Sequence, residues 1–244
     1  MATHISRHFL SQGQKISCIY SRSQESADQL AAELDTLGTS DPGRVPQEAD
    51  FFILCVPDRA VAGVARQLGG RKGIWLHTAG VLSLDIFKGI TERYGVLYPL
   101  QTLSRSRKIR LGHIPFLVEG STPEVLALVK NLAGSITEYV QEADSPTRQK
   151  VHLAAVFANN FSNHMIHVAW NILEESGLDA GMLEPLLEET FLKPREMHPD
   201  DAQTGPAARG DRETMNKHIE LLKDHPEWEK LYTFISRDIE RSRK

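Results

Sequence analysis

Short β-rich runs alternate with helical stretches through residues 1–145, and that alternation leaves few folds open. Strand-like runs at 15–20, 51–56, 73–77, 95–98, 116–119 and 136–140 are interleaved with helical patterns at 24–37, 59–68 and 123–133. Strands alternating with helices of about 10–15 residues make βαβ units, whose strands lie mostly parallel with helices on both faces. The runs ISCIY and FFILCV are apolar at consecutive positions, as strands covered on both faces require. Ahead of them, Ala2, Ile5, Phe9 and Leu10 fall on one apolar helical face that ends at Gly13, so the chain opens in a helix.

After residue 145 the strand signals stop. Ser145-Pro146 predicts the start of a long helix, with serine as N-cap and proline in the first turn, running to about Glu175 before Gly177 ends it. Further helices are expected at 182–192, 213–222 and 227–242, with a glycine- and proline-bearing loop at 199–211. The expected architecture is therefore α/β, with a mostly parallel sheet over 1–145, followed by an all-α domain over 146–244. The small and apolar residues of the long helix suggest a homodimer formed through the second domain.

Composition narrows the function classes. The chain has 244 residues, 41% of them hydrophobic and 25% charged, which suits a globular chain with a sizeable core. Its formal net charge is −4, with the whole excess of acid after residue 145, so nothing in the charge points to nucleic acid or an anionic membrane. Two cysteines, Cys18 and Cys55, sit in strand-like runs and are too few for a disulfide framework or a zinc site. No apolar stretch near the N-terminus resembles a signal peptide, so a cytoplasmic location is expected.

A dinucleotide-binding α/β domain opens with a strand, a glycine-rich turn and a helix whose N-terminus holds the pyrophosphate. Here no strand precedes the first helix and G-x-G-x-x-G occurs nowhere; Gly69, Gly70 and Gly73 follow a helix and precede a strand, the wrong order for a phosphate cradle. Ser21-Arg22-Ser23, by contrast, closes a strand where such sheets meet the adenosine ribose, and arginine with serine suits a ribose 2′-phosphate. A helix cap beside a solvated arginine accounts for the same tripeptide equally well.

Taken together, YSRS at Tyr20–Ser23, HTAG at His77–Gly80, YGVLYPLQT at 94–102, HLAAVFANNFSNH at 152–164 and QTGPAARGD at 203–211 carry a resemblance. The chain resembles Rossmann-like NADP oxidoreductases with an uncharacterised helical C-terminal domain. These are related more distantly to pyrroline-5-carboxylate reductase, prephenate dehydrogenase and the 6-phosphogluconate dehydrogenase superfamily. The resemblance implies NADP(H) as cofactor. Members begin with a strand and a turn similar to G-A-G-N-x-A-T-H, of which only Ala2-Thr3-His4 is matched. The expectation is that the missing strand and glycines lie upstream of Met1.

Candidate site residues follow from strand ends and helix faces. Val56 and Pro57, with Asp58, follow the FFILCV strand and would face the nicotinamide half of a cofactor; a tight turn with Asp58 as a cap fits too. His77 and Thr78 end another strand, where a histidine beside a hydroxyl suits nicotinamide or substrate contact, against a buried hydrogen-bonded histidine. Gln101 and Thr102 are candidate substrate anchors, because related dehydrogenases contact substrate in this segment. The run Arg105, Arg107, Lys108 and Arg110 could steer an anion or simply be solvated.

On the long helix, His152, Asn159 and Asn163 share a face in a regular α-helix, with Asn160 and His164 beside them. Amides in an apolar helix need partners, which a substrate, a nicotinamide carboxamide or a facing subunit could supply. His77 and the polar segment with Asn159, Asn163 and His164 are the candidate proton donors. His164 and His167 lack an acidic partner for a metal site, and no metal is expected. Thr204 and Arg209 lie in a loop suited to closing over a small polar substrate between the domains, although Arg209 could pair with Asp211 instead.

Two functions remain open at this level. One is NADP(H)-dependent oxidation or reduction of a small polar substrate. The other is a non-catalytic binding or assembly module that keeps the fold without the cofactor site.

Overall fold

The computed structural model describes every residue except Arg105, Ser106, Lys108, Arg243 and Lys244. It divides into two compact units, Met1–Ala158 and Asn159–Lys244.

The first unit opens with helix α1, Ala2–Ser11, whose Ile5 and Phe9 face the core one turn apart while Leu10 lies exposed. Strand β1, Cys18–Tyr20, leads to helix α2, Gln24–Glu33, capped by the Ser23 side chain, which accepts from the Ser26 amide. The helix expected over 24–37 stops early. Asp35 takes a left-handed φ of 49°, and Leu37–Thr39 forms strand β2, paired in parallel with β1. Local helical periodicity loses here to the ladder with β1. Gly38 is required at the crossing, because a Cβ there would lie 2.7 Å from an Asp28 carboxylate oxygen.

A second sheet has the order β3-β4-β5-β6-β7. Strands β3 (Glu48–Leu54), β4 (Lys72–His77) and β5 (Tyr94–Pro99) run parallel, with helix α3 (Asp58–Gln67) between the first two. Strand β6 (Phe116–Gly120) is antiparallel to β5, and after helix α4 (Pro123–Gly134) a short β7 (Val140–Glu142) pairs in parallel with β6. The strand expected at 136–140 is displaced to β7. Ile136 and Thr137 instead hydrogen-bond back to Ala133 as the end of α4, and Ile136 buries its side chain in the core.

Alternate strand residues face opposite layers, as the period of two demands. Ile74 and Leu76, with Leu97, Phe116 and Val118, pack under Ile5 and Phe9 of α1 and Val125 and Val129 of α4. Trp75, between them, joins Leu54 and Phe87 under Val61, Ala65 and Leu68 of α3. Each face is thus covered by helix, the reason the FFILCV run of β3 needs no polar side. Cys18 and Tyr20 of β1 pack into the same cluster as Phe52 and Val56, yet no ladder joins β1–β2 to the five-stranded sheet.

Helix α5, Ser145–Ala155, closes the unit. Its N-cap is Asp144, accepting from the Thr147 amide at 2.9 Å, rather than Ser145, whose hydroxyl is used elsewhere. The expected long helix is interrupted by a π-helical turn, Val156–Phe161.

The second unit contains α6 (Ser162–Glu175), α7 (Glu184–Leu192), α8 (Pro199–Ala202), α9 (Pro206–Arg209), α10 (Arg212–Leu221) and α11 (Pro226–Ser242). The segment expected as a loop at 199–211 contains α8 and α9, each one turn long and each opened by a proline. Gly205 and Gly210, with φ of 105° and 68°, make the breaks on either side of α9. Both cysteines are free. Among the described residues no helix is long and apolar enough to cross a membrane.

Candidate functional site

In parallel α/β sheets, ligand sites form at the carboxyl ends of strands, where side chains leave the ladder and backbone groups are free. At the end of β1, Ser21 accepts from the Ser23 amide at 3.4 Å and Ser23 accepts from the Ser26 amide at 3.3 Å. Each hydroxyl acts as an acceptor and so keeps its own proton to donate. Arg22 stands exposed between them and makes no ion pair among the described residues. An exposed cation flanked by two hydroxyls is the chemistry a phosphomonoester needs.

The ends of β3, β4 and β5 lie side by side. Val56 is half-buried and Pro57 exposed; Pro57, not Asp58, occupies the N-cap of α3, and no side chain caps that helix. Thr78 is buried and donates to the Leu54 carbonyl at 3.3 Å, tying the end of β4 to β3. Burial pushes the Cys55 thiol up to about 11, while the chain's amino terminus and the Thr78 hydroxyl pull the other way. Met1 and Cys55 pack against the same cluster as Ile5 and Phe9 of α1, which brings the first turn of that helix and the end of β3 onto one layer of the core. The adenosine 2′-phosphate end of a dinucleotide site fits the residues present at the end of β1.

His77 is fully buried, and its Nδ1 accepts from the Ala79 amide at 3.2 Å, which places the proton on Nε2. That Nε2 has no partner in good hydrogen-bond geometry, and the Ser83 backbone only weakly favours the charged form. Burial, reinforced by the Arg148 charge, lowers its pKa from 6.5 to about 3. A histidine so held is neutral at physiological pH and gives no proton to a ligand. The structure favours the buried, structural alternative for His77 over the proton-donor role.

Around it lies a network that sequence reasoning missed. Arg148 of α5, with no exposed surface, pairs with Glu119 of β6 and also donates to the Leu82 carbonyl and, at 3.2 Å, to Ser145 Oγ. Ser145 presents its amide and hydroxyl to the same carboxylate at 3.0 and 2.8 Å. One turn further along α5, His152 Nδ1 lies 3.0 Å from the Tyr98 hydroxyl at the end of β5. The i, i+4 spacing of Arg148 and His152 was the available signal, readable only once Glu119 and Tyr98 are known to face the helix.

The remaining candidates are not gathered here. Gln101 and Thr102 are exposed, and the Gln101 side chain accepts from the Thr102 amide at 2.9 Å. Asn159, Asn163 and His164 belong to the second unit and are exposed, as is Asn160. A π-helical turn over Val156–Phe161 interrupts the regular helix on which His152, Asn159 and Asn163 were expected to share a face. Thr204 and Arg209 are also exposed in the second unit; Arg209 lowers the pKa of Asp211 only after the stronger effect of hydrogen bonds from Thr214. His164 and His167 rings lie 6.0 Å apart, and among the described residues no group of three metal-ligating side chains forms. Arg105 and Lys108 of the basic run lie outside the described residues.

Comparison with known proteins matches residues 114–239 to a domain of unknown function, DUF2520, and residues 1–76 to the family described as NADP oxidoreductase, coenzyme F420-dependent. A Bacteroides fragilis protein provisionally named as an NADP oxidoreductase is 36% identical, with a TM-score of 0.93 over 98% of this chain and 94% of its own. The Thermotoga maritima protein TM1727 is 25% identical, with a TM-score of 0.74 over 99% and 96%. A pyrroline-5-carboxylate reductase from Coxiella burnetii, 17% identical, shares the fold, with a TM-score of 0.56 over 99% and 93%. No curated protein matches.

Proposed function

This chain belongs to the family in which a Rossmann-like NADP-oxidoreductase domain carries a C-terminal DUF2520 domain, and from that premise we propose that it transfers hydride between NADP(H) and a small polar substrate. The observation that carries the reading is the Ser21-Arg22-Ser23 set at the end of β1, half-buried at Ser21 and exposed at Arg22 and Ser23, a cation and two hydroxyls with no ion-paired carboxylate among the described residues. When bound, the nicotinamide cofactor supplies or accepts the hydride. Ser21, Arg22 and Ser23 would hold its 2′-phosphate, and the ends of β3 and β4 at Val56, Pro57 and Thr78 would face its nicotinamide half. Gln101 and Thr102, exposed just beyond β5, are the substrate anchors this reading proposes.

Calorimetric titration of NADPH into the protein tests the reading. Saturable binding of one NADPH per chain is the expected result. No heat with NADPH or NADH would remove hydride transfer and leave the non-catalytic assembly module.

We also propose that the protein is a cytoplasmic homodimer assembled through the helical unit. Support for the dimer comes from that unit's core, in which Ala207, Met215 and Leu222 are the hydrophobic residues buried among those described. Met182, Leu186, Leu221 and Phe234 are each more than 60% exposed. About 85 residues do not fold stably around so little buried apolar surface, and a second copy presenting the same faces would cover them.

A further inference from the structure

One pair at the strand ends has no part in the cofactor site described above. The Tyr98 hydroxyl meets His152 Nδ1 at 3.0 Å, with the two rings edge to face at 69° and 6.0 Å between centroids. Tyr98 is buried against Val96, Leu117 and Ala143, whereas His152 is half-exposed. The phenol thus stands at the end of a central strand with its oxygen turned to an imidazole that reaches solvent.

Two independent features hold this pair in place. Gly80 lies under the imidazole, and a Cβ there would come within 2.5 Å of His152 Nδ1. Its φ is not unusual, so the glycine answers to the close approach of the ring and not to a backbone requirement. Arg148, buried and ion-paired to Glu119, fixes α5 against the end of β6 one turn before His152. Neither constraint is needed to form α5 or β5 themselves; both bear on where His152 sits.

The charges around the phenol also have a consistent sense. Burial holds Tyr98 above the ordinary tyrosine range; the Arg148 charge pulls it back and the Asp58 carboxylate adds to the rise. The phenol is therefore protonated at physiological pH, and a phenolate formed in a reaction would be taken up by Arg148 and by a proton from His152. His77, the other histidine at these strand ends, is neutral and sealed, so it cannot fill that role.

We propose that Tyr98 and His152 form the proton-delivering couple of the hydride-transfer reaction, a role that rests on the oxidoreductase reading above. The substrate class is a compound with a C=O or C=N bond, reduced at carbon by the hydride of a reduced nicotinamide. As that carbon gains hydride, the π electron pair moves to the oxygen or nitrogen. The Tyr98 O–H bond breaks and its proton joins that atom. The proton on Nδ1 of a protonated His152 then passes to the Tyr98 oxygen, leaving neutral imidazole, an alcohol or amine, and the oxidised nicotinamide. Tyr98 touches the reacting atom and is the catalytic residue; His152 acts through it and is a positioning and recharging residue.

The test uses the intact protein in two measurements. In the first, ¹⁵N NMR follows the imidazole nitrogens of His152 without ligand, in the wild type and in Tyr98→Phe. Loss of the hydroxyl is expected to move the Nδ1 resonance; an unmoved resonance means no shared proton and overturns the couple, whatever the turnover. In the second, NADPH oxidation is followed with 1-pyrroline and 2,3-butanedione as C=N and C=O probes, with NADPH binding measured in parallel. Tyr98→Phe is expected to slow turnover by at least about 100-fold and His152→Gln by about 10-fold, with added imidazole restoring only the His152→Gln rate. NADPH affinity should stay within about threefold in both variants, since neither residue is placed in the phosphate site. Turnover at the wild-type rate in Tyr98→Phe overturns the proposal alone. Failure of the wild type to bind NADPH overturns the oxidoreductase reading and the proton role with it, while the NMR contact stands as a structural one.

Discussion

His77 shows how far residue type falls short of residue function. A histidine beside Thr78 at a strand end reads in sequence as a proton donor, and burial reverses that. Its pKa in the folded protein, about 3, lies below the ordinary 6.5, so the unfolded chain takes up a proton first as pH falls. The stability that neutral His77 contributes is complete above about pH 6.5 and is lost as pH drops from there toward 3, with a slope of up to ~1.4 kcal/mol per pH unit. Urea unfolding between pH 7 and pH 5 should show a steeper loss of stability in the wild type than in His77→Gln; equal slopes would contradict the assignment. Ser23 as a helix cap beside an exposed Arg22 was legible because a strand end followed by a capping serine is a local property. Tyr98 and His152 were visible only as separate residues, 54 positions apart. Their meeting depends on how α5 lies against β5, which no local pattern records.

At the scale of elements, α5 is the decisive piece. Its amphipathic face is weak, and it is held instead by one buried ion pair between Arg148 and Glu119, backed by Ser145. Removing one partner of such a pair strands the other, so Arg148→Met is expected to lower unfolding stability by about 3–5 kcal/mol, and adding Glu119→Leu to recover most of that loss. Urea denaturation checks both; a loss below about 1 kcal/mol in the single variant would mean that α5 is held by other contacts. Most of the strand and helix alternation of the first unit was readable, because a period of two and a period of 3.6 leave different marks, with β2 and the placement of β7 as the exceptions. Where the sequence misled, tertiary pairing overrode local preference: β2 cut α2 short, and a π turn broke the long helix. That turn lies within the stretch on which His152, Asn159 and Asn163 were expected to share a face.

At the scale of the whole molecule, the two units differ in how they bury apolar surface. The first has a two-faced sheet core of the expected kind, although its parallel pair β1–β2 stands apart from the five-stranded ladder. The second leaves large side chains such as Leu186 and Phe234 uncovered. Light scattering at micromolar concentration should report a dimer, with Leu186→Arg or Phe234→Arg driving it toward monomer; a wild-type monomer would contradict assembly through the helical unit. The proposed NADP(H) site at the end of β1 is tested most directly by calorimetric titration of NADPH and NADH into the wild type and Arg22→Ala. The expected result is an NADPH preference of at least about tenfold that Arg22→Ala abolishes with little change in NADH affinity. Equal binding of the two nucleotides by the wild type, or a preference that survives the substitution, would contradict it.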